Sequence, residues 1–202
     1  MKKAAVILSL MLALHAVAYA GGPRFSYGME WGYTGSFLKT HQYNYIYSAG
    51  SRIIDYWPPQ AGFFSNGTFL VNGGLDLSEQ VNLSLYTGIE GVWSDRWMVP
   101  VQVRARWCPA GLEHNSFLHH AAADLTFPVT PTYLSSLGLH VGSGYRLMVY
   151  KSISVDFLLS LSIVGDHDQL IDPDEHYYIP QKDIMLNLSE YWGLNFSIAL
   201  NF

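Results

Sequence analysis

Phe25-Ser26-Tyr27-Gly28-Met29-Glu30-Trp31-Gly32-Tyr33 carries a large apolar side chain at every odd position and a small or polar one at every even position. A β-strand sends alternate side chains to opposite faces, so this run has one greasy face and one polar face. The period of two recurs at Val81, Leu83, Leu85, Thr87, Ile89, Gly91 and Trp93, and again at Trp97, Val99, Val101, Val103, Ala105 and Trp107. It continues at Leu137, Leu139, Val141, Ser143, Tyr145, Leu147 and Val149, then at Ile153, Val155, Phe157, Leu159, Leu161 and Ile163. The chain closes on Trp192, Leu194, Phe196, Ile198, Leu200 and Phe202, with Gly, Asn, Ser and Ala between them. Thr68 to Leu77 alternates loosely, and His and Ala residues blur the faces of Phe117 to Phe127.

These segments predict eight strands. Several reach ten residues, the length a tilted strand needs to cross the hydrocarbon core of a bilayer. Long connections are expected at Gly35–Gly67 and Gly165–Asp183, and a moderate one at Pro128–Ser136. Short ones are expected at Ser78–Gln80 and Tyr150–Ser152, with a tight Ser94-Asp95-Arg96 turn. Short turns on one side and longer loops on the other suit an outer-membrane barrel, and an even strand number returns both chain ends to the periplasmic side. A soluble β-sandwich is the rival, since it alternates too. Against it stand the aromatic residues Trp31, Tyr33, Trp93, Trp97 and Trp107 near strand ends, placed as an interfacial girdle would be. The expected fold is all-β, an eight-stranded antiparallel transmembrane up-and-down β-barrel over residues 21–202.

Met1-Lys2-Lys3, an apolar run from Ala4 to Val17 and Ala18-Tyr19-Ala20 are the three parts of a secretory signal peptide, with cleavage expected after Ala20. The apolar run is too short to span a bilayer as a helix. The whole chain has 11 Lys and Arg against 16 Asp and Glu, and losing Lys2 and Lys3 makes the balance more acidic. That excludes an ordinary nucleic-acid-binding face. Charged residues are 13% of the chain, against about 25% in soluble domains, while it holds 14 Tyr, 10 Phe and 6 Trp. The lone Cys108 reads as a small buried apolar residue.

The final segment, Tyr191 to Phe202, resembles the terminal strand of outer-membrane proteins, with Phe202 matching the C-terminal aromatic read by the barrel-assembly machinery. The chain from Gly21 on is similar to an uncharacterised family of small outer-membrane β-barrels from Gram-negative gut anaerobes, with an OmpA/OmpX-like eight-stranded architecture. The resemblance lies in Glu30-Trp31-Gly32-Tyr33-Thr34, Gln42-Tyr43-Asn44-Tyr45 and Trp97-Met98-Val99-Pro100-Val101. Arg106-Trp107-Cys108-Pro109, Gly144-Tyr145-Arg146 and Ile153-Ser154-Val155-Asp156-Phe157 add to it. It implies a location in the cell outer membrane, contact with outer-membrane lipid and lipopolysaccharide, and no assigned activity.

The alternation places Glu30, Glu90, Arg104, Arg106, His140, Arg146 and Asp156 in the lumen. Eight strands leave an interior that side chains just fill, so these groups are expected to pair as a polar plug. A narrow diffusion pore is the alternative. Asp166, Asp168, Asp172, Asp174 and Glu175, with His167 and His176, form an acidic loop; carboxylate oxygens suit Ca²⁺ or Mg²⁺. The spacing of a known calcium loop is missing, and a solvated acidic loop is the expectation. His114, His119 and His120 cluster, but His119 and His120 would face opposite sides of one strand, which argues against a shared metal. His114 and Ser116 have the His-x-Ser spacing of an outer-membrane lipid A deacylase family, and residues two apart on a strand share a face. No partner carboxylate is evident. No cofactor is expected. The leading expectation is a non-enzymatic, monomeric barrel with a structural, adhesion or ligand-binding role through its outer loops. The alternatives are a lipid-modifying enzyme (a lipid A or phospholipid acyl hydrolase) and a pore.

Overall fold

The computed structural model describes residues 24–46, 50–93, 96–129, 135–172 and 174–202. The expected leader, the Ser94-Asp95 portion of the tight turn and most of the Pro128–Ser136 connection lie outside the described residues. Eight strands form: β1 (Arg24–Ile46), β2 (Arg52–Asp76), β3 (Val81–Val92), β4 (Arg96–Trp107), β5 (Ser116–Pro128), β6 (Ser136–Tyr150), β7 (Ile153–Asp166) and β8 (Ile184–Asn201). Each pairs antiparallel with its neighbour in sequence, and β1 pairs with β8 from Gly28↔Asn201 to Tyr45↔Ile184. The result is a closed, eight-stranded up-and-down β-barrel. A single closed ring replaces the two stacked sheets of the sandwich rival.

Burial follows the sequence period. In β4 the even residues Arg96 to Arg106 are buried while the odd residues Trp97 to Trp107 are exposed. The barrel is therefore inside-out relative to a soluble one. Its exposed large side chains include Leu85, Val103, Phe117, Leu139, Val141, Leu159 and Phe196, and its interior holds Glu30, Arg104, Arg106, Asp124 and Asp156. The blurred segment is β5, whose inward residues include His120, Ala122 and Asp124.

One end of the barrel carries the connections at residues 77–80, 108–115 and 151–152, the first and last of them short, together with the start of β1 and the end of β8. The C-terminal Phe202 closes this end, its ring stacked on Tyr27 at 5.3 Å and its amide bonded to the Tyr27 carbonyl at 2.8 Å. The opposite end is taller than the sequence indicates. Much of Gly35–Gly67, expected as a loop, is strand: the β1–β2 ladder continues to Ile46↔Arg52 through irregularities at Ser36/Leu38 and Lys39/His41. Pairing on both edges of β1 satisfies its backbone there, so extension costs no unpaired amides on that strand. Pro58-Pro59 falls where the register shifts, the position a proline can occupy in a sheet.

Two further departures have local causes. Trp93, expected in the outward girdle, has φ of 62° and packs instead against Val92, Met98, Val164 and Tyr191 over the lumen. The left-handed backbone at the end of β3 breaks the period and turns the ring inward. In β4, Pro100 lies within a gap in the β3–β4 ladder between Thr87↔Val101 and Glu90↔Met98, because it has no N–H to give.

Candidate functional site in the barrel lumen

Inward-facing residues of β1 and of β3 to β8 build three polar layers. Nearest the short-turn end, Arg146 of β6 grips Asp156 of β7 with Nε to Oδ1 and Nη2 to Oδ2, each 2.7 Å. Arg106 donates to the same carboxylate at 3.2 Å, to Asn201 at 2.7 Å and to Asn82 at 3.0 Å. Below this layer Cys108, Leu112, Leu118, Leu158 and Ala199 form an apolar seal. Burial pushes the Cys108 thiol up, which keeps it protonated and unreactive.

In the middle layer Arg104 donates to Glu30 at 2.6 Å and to Gln102 at 2.7 and 3.0 Å, with its guanidinium 4.1 Å above the Tyr86 ring. Ser197 donates to the other Glu30 oxygen at 2.7 Å. His140 and Asp124 meet at 2.5 Å. Glu90 lines a cavity of about 20 Å³ with Glu30, Gln102, Arg104, His140 and Asn195. That is room for about one water, and Arg104–Glu30 and His140–Asp124 form compensated pairs around it.

The upper layer closes the taller end. Asp168, just beyond β7, accepts from Tyr43 and Ser189 at 2.7 Å and from Tyr191 at 2.9 Å, and pairs with Lys39 at 2.9 Å and with Arg96. Arg96 also pairs with Asp166, to which Ser136 donates at 2.5 Å. Burial raises the Asp168 carboxyl pKa, but Arg96, Lys39 and the Tyr43 hydroxyl outweigh it and hold the group well below the usual carboxylate range. Beyond this layer Leu170 and Ile179 fold the β7–β8 connection against Tyr45, Tyr43, Ile53 and Ile184.

All seven residues assigned to the lumen by alternation lie buried inside the barrel. The solvated acidic loop is corrected: Asp166, Asp168 and Asp172 are buried, while Asp174 and Glu175 are exposed. Arg96 of β4 and Lys39 of β1 draw the first two inward across the lumen, and Asp172 accepts from the backbone amides of Asp174 and Glu175 to close a turn. Among the described residues no three His, Cys, Asp or Glu side chains are grouped to hold a metal. His120 points in and His119 out, as the period requires. The shared face inferred for His114 and Ser116 is corrected too. His114 lies exposed in the turn before β5, whereas Ser116 is buried and donates to the Phe117 carbonyl at 2.7 Å.

Lys39, Tyr43, Arg96, Gln102 and Asp124 escaped the sequence reading. Gln102 and Asp124 sit at even positions of alternating runs and were within reach of the same rule. Lys39 and Tyr43 fell inside an expected loop, and Arg96 inside an expected turn.

No protein-family model matches the chain, and no curated protein does. Among solved structures it is similar to the outer membrane protein OprG from Pseudomonas aeruginosa, with 9% identity, a TM-score of 0.49, and coverage of 89% of this chain and 97% of that one. It is similar to Ail, the attachment invasion locus protein of Yersinia pestis, with 10% identity, a TM-score of 0.34 and coverage of 88% and 98%. The outer membrane protease OmpT from Escherichia coli gives 9% identity, a TM-score of 0.28 and coverage of 87% and 96%.

Proposed function

We propose that the protein is a plugged, non-enzymatic outer-membrane barrel that presents its taller end to a partner outside the cell. The observation that carries the membrane reading is the inversion of polarity: apolar side chains cover the outside of the ring and matched ion pairs fill it. Such an outer face is stable against lipid and unfavourable in water. The short-turn end then faces the periplasm and Phe202 serves the assembly machinery. The presenting role rests on β1 and β2, which rise beyond β3 and expose Phe37, Ile54, Tyr56, Trp57 and Phe63. Large aromatic side chains supply contact area at low entropic cost.

Gel mobility of the membrane-fractionated protein with and without boiling tests the first part. A shift in the outer-membrane fraction is expected, and a soluble protein with no shift overturns it. Replacing residues 38–61 with a short turn tests the second part. Unchanged adhesion of the cells to protein-coated surfaces, together with unchanged detergent sensitivity, overturns the presenting role.

A further inference from the structure

Across the outward-facing positions of β3 to β7, running from Val81 to Ile163, the polar side chains other than Tyr and Trp are Thr87, His119 and Ser143. Two of these three are cross-strand partners: His119 on β5 and Ser143 on β6 lie opposite each other, with His119 Nδ1 2.8 Å from Ser143 Oγ. A polar pair on a surface turned to lipid is costly unless it has work there. The Trp107 ring stacks on His119 at 5.6 Å and holds it flat against the wall.

The pair opens onto a shallow groove of about 460 Å³ whose outward-facing floor includes Ala105, Ala121 and Val141. That volume is in the range of small-molecule sites. The depth is informative as well. One register step toward the short-turn end, Phe117 and Tyr145 pack edge to face, and one step the other way Ala121 faces Val141. The pair thus sits between an aromatic girdle and the apolar band, where a lipid's polar oxygens meet its chains.

Hydrogen-bond arithmetic points the same way. With neutral imidazole, either the serine donates to Nδ1 and leaves the Nε2 proton, or Nδ1 donates to the serine and leaves the hydroxyl proton. One donor is left over in both cases, and among the described residues it has no protein partner. A His–Ser contact also suggests acyl hydrolysis. Yet the main-chain amides of this wall are engaged in the β4–β5–β6–β7 ladders, so no pair of free N–H groups is present to stabilise an oxyanion. The arrangement offers a donor to an acceptor without a main-chain oxyanion hole.

We propose that this groove is a binding site for a glycerophospholipid of the periplasmic leaflet. An ester or phosphate oxygen of the lipid accepts from the His119–Ser143 pair, and one acyl chain lies along Ala105, Ala121 and Val141. The site rests on the outer-membrane reading above, and the test separates the two. Purified barrel is delipidated in detergent, titrated with phosphatidylethanolamine and examined by native mass spectrometry, with the boiling-dependent mobility shift recorded for every sample. Wild type is expected to hold one phosphatidylethanolamine. Combined His119→Leu and Ser143→Ala should weaken retention about three- to tenfold, the effect of losing one such hydrogen bond. Ala121→Leu, which fills the groove, should do the same, and Thr87→Val should leave retention unchanged. Equal retention in all variants with the mobility shift intact overturns the site alone, as does preferential retention of added lipopolysaccharide. Absence of the shift in wild type overturns the outer-membrane reading together with the site.

Discussion

Arg146 and Asp156 face each other across the β6–β7 ladder and are joined by two parallel hydrogen bonds of 2.7 Å. This fork-to-carboxylate geometry is the strongest form of a charged pair, and it is fully enclosed. Register alone brings the two residues together, so the pair reports directly on correct strand alignment.

Asp156 serves two guanidiniums, so removing the carboxylate should cost more than removing one arginine. Asp156→Leu leaves Arg146 and Arg106 without their shared anion and should destabilise the barrel by about 3–5 kcal/mol. Arg146→Met leaves the Arg106–Asp156 pair in place and should cost less. Urea titration of the folded gel band in detergent measures both. Equal losses in the two variants would show that Arg146 alone carries the Asp156 charge.

Asp168 should make the upper closure resistant to acid. Its folded pKa lies below the unfolded value of about 4, so its contribution is complete above that pH and declines only as pH falls further toward the folded pKa. Protease protection of the 167–183 segment should hold steady from about pH 7 down to about pH 4 and fall below it. Asp168→Asn should lower protection at neutral pH and flatten the acid response. A loss centred near pH 6 would instead implicate a histidine.

The middle layer should decide whether the lumen conducts. With only about 20 Å³ free around Glu30 and Arg104, wild type should give no steady steps in a planar bilayer. Replacing both Glu30 and Arg104 with Ser removes a matched pair and opens space, and single-channel steps are expected to emerge. Steady conductance from wild type would replace the plug with a pore.

Two glycines on opposite faces should respond oppositely to one methyl group. At Gly32 a Cβ would stand 2.3 Å from the Phe196 carbonyl oxygen and 2.5 Å from the Ser197 Cβ, whereas at Gly73 it would meet nothing within 4 Å. Gly32→Ala should cost about 1–3 kcal/mol through overpacking. Gly73→Ala should be neutral or stabilise by up to about 1 kcal/mol by restricting the unfolded chain. The same urea titration distinguishes them.

The period of two, read along the chain, determined the strand number and the inward or outward sense of most side chains, because each strand's choice is local and its alternation survives any register. It was enough to place Glu30, Arg104, Arg106, Arg146 and Asp156 inside. Partners were decided only by the tertiary structure, since a pair such as Arg104 and Glu30 depends on residues 74 positions apart meeting across the lumen. The height of the β1–β2–β8 wall was likewise invisible, because bulges at Ser36/Leu38 and Lys39/His41 interrupt the period that would have announced it. Asp168 shows the same limit. It was legible as a loop carboxylate, and only closure of the ring brought Lys39, Tyr43, Arg96 and Tyr191 from three strands to bury it. Alternation is a local property of the backbone, whereas charge pairing is settled by which strands close on which.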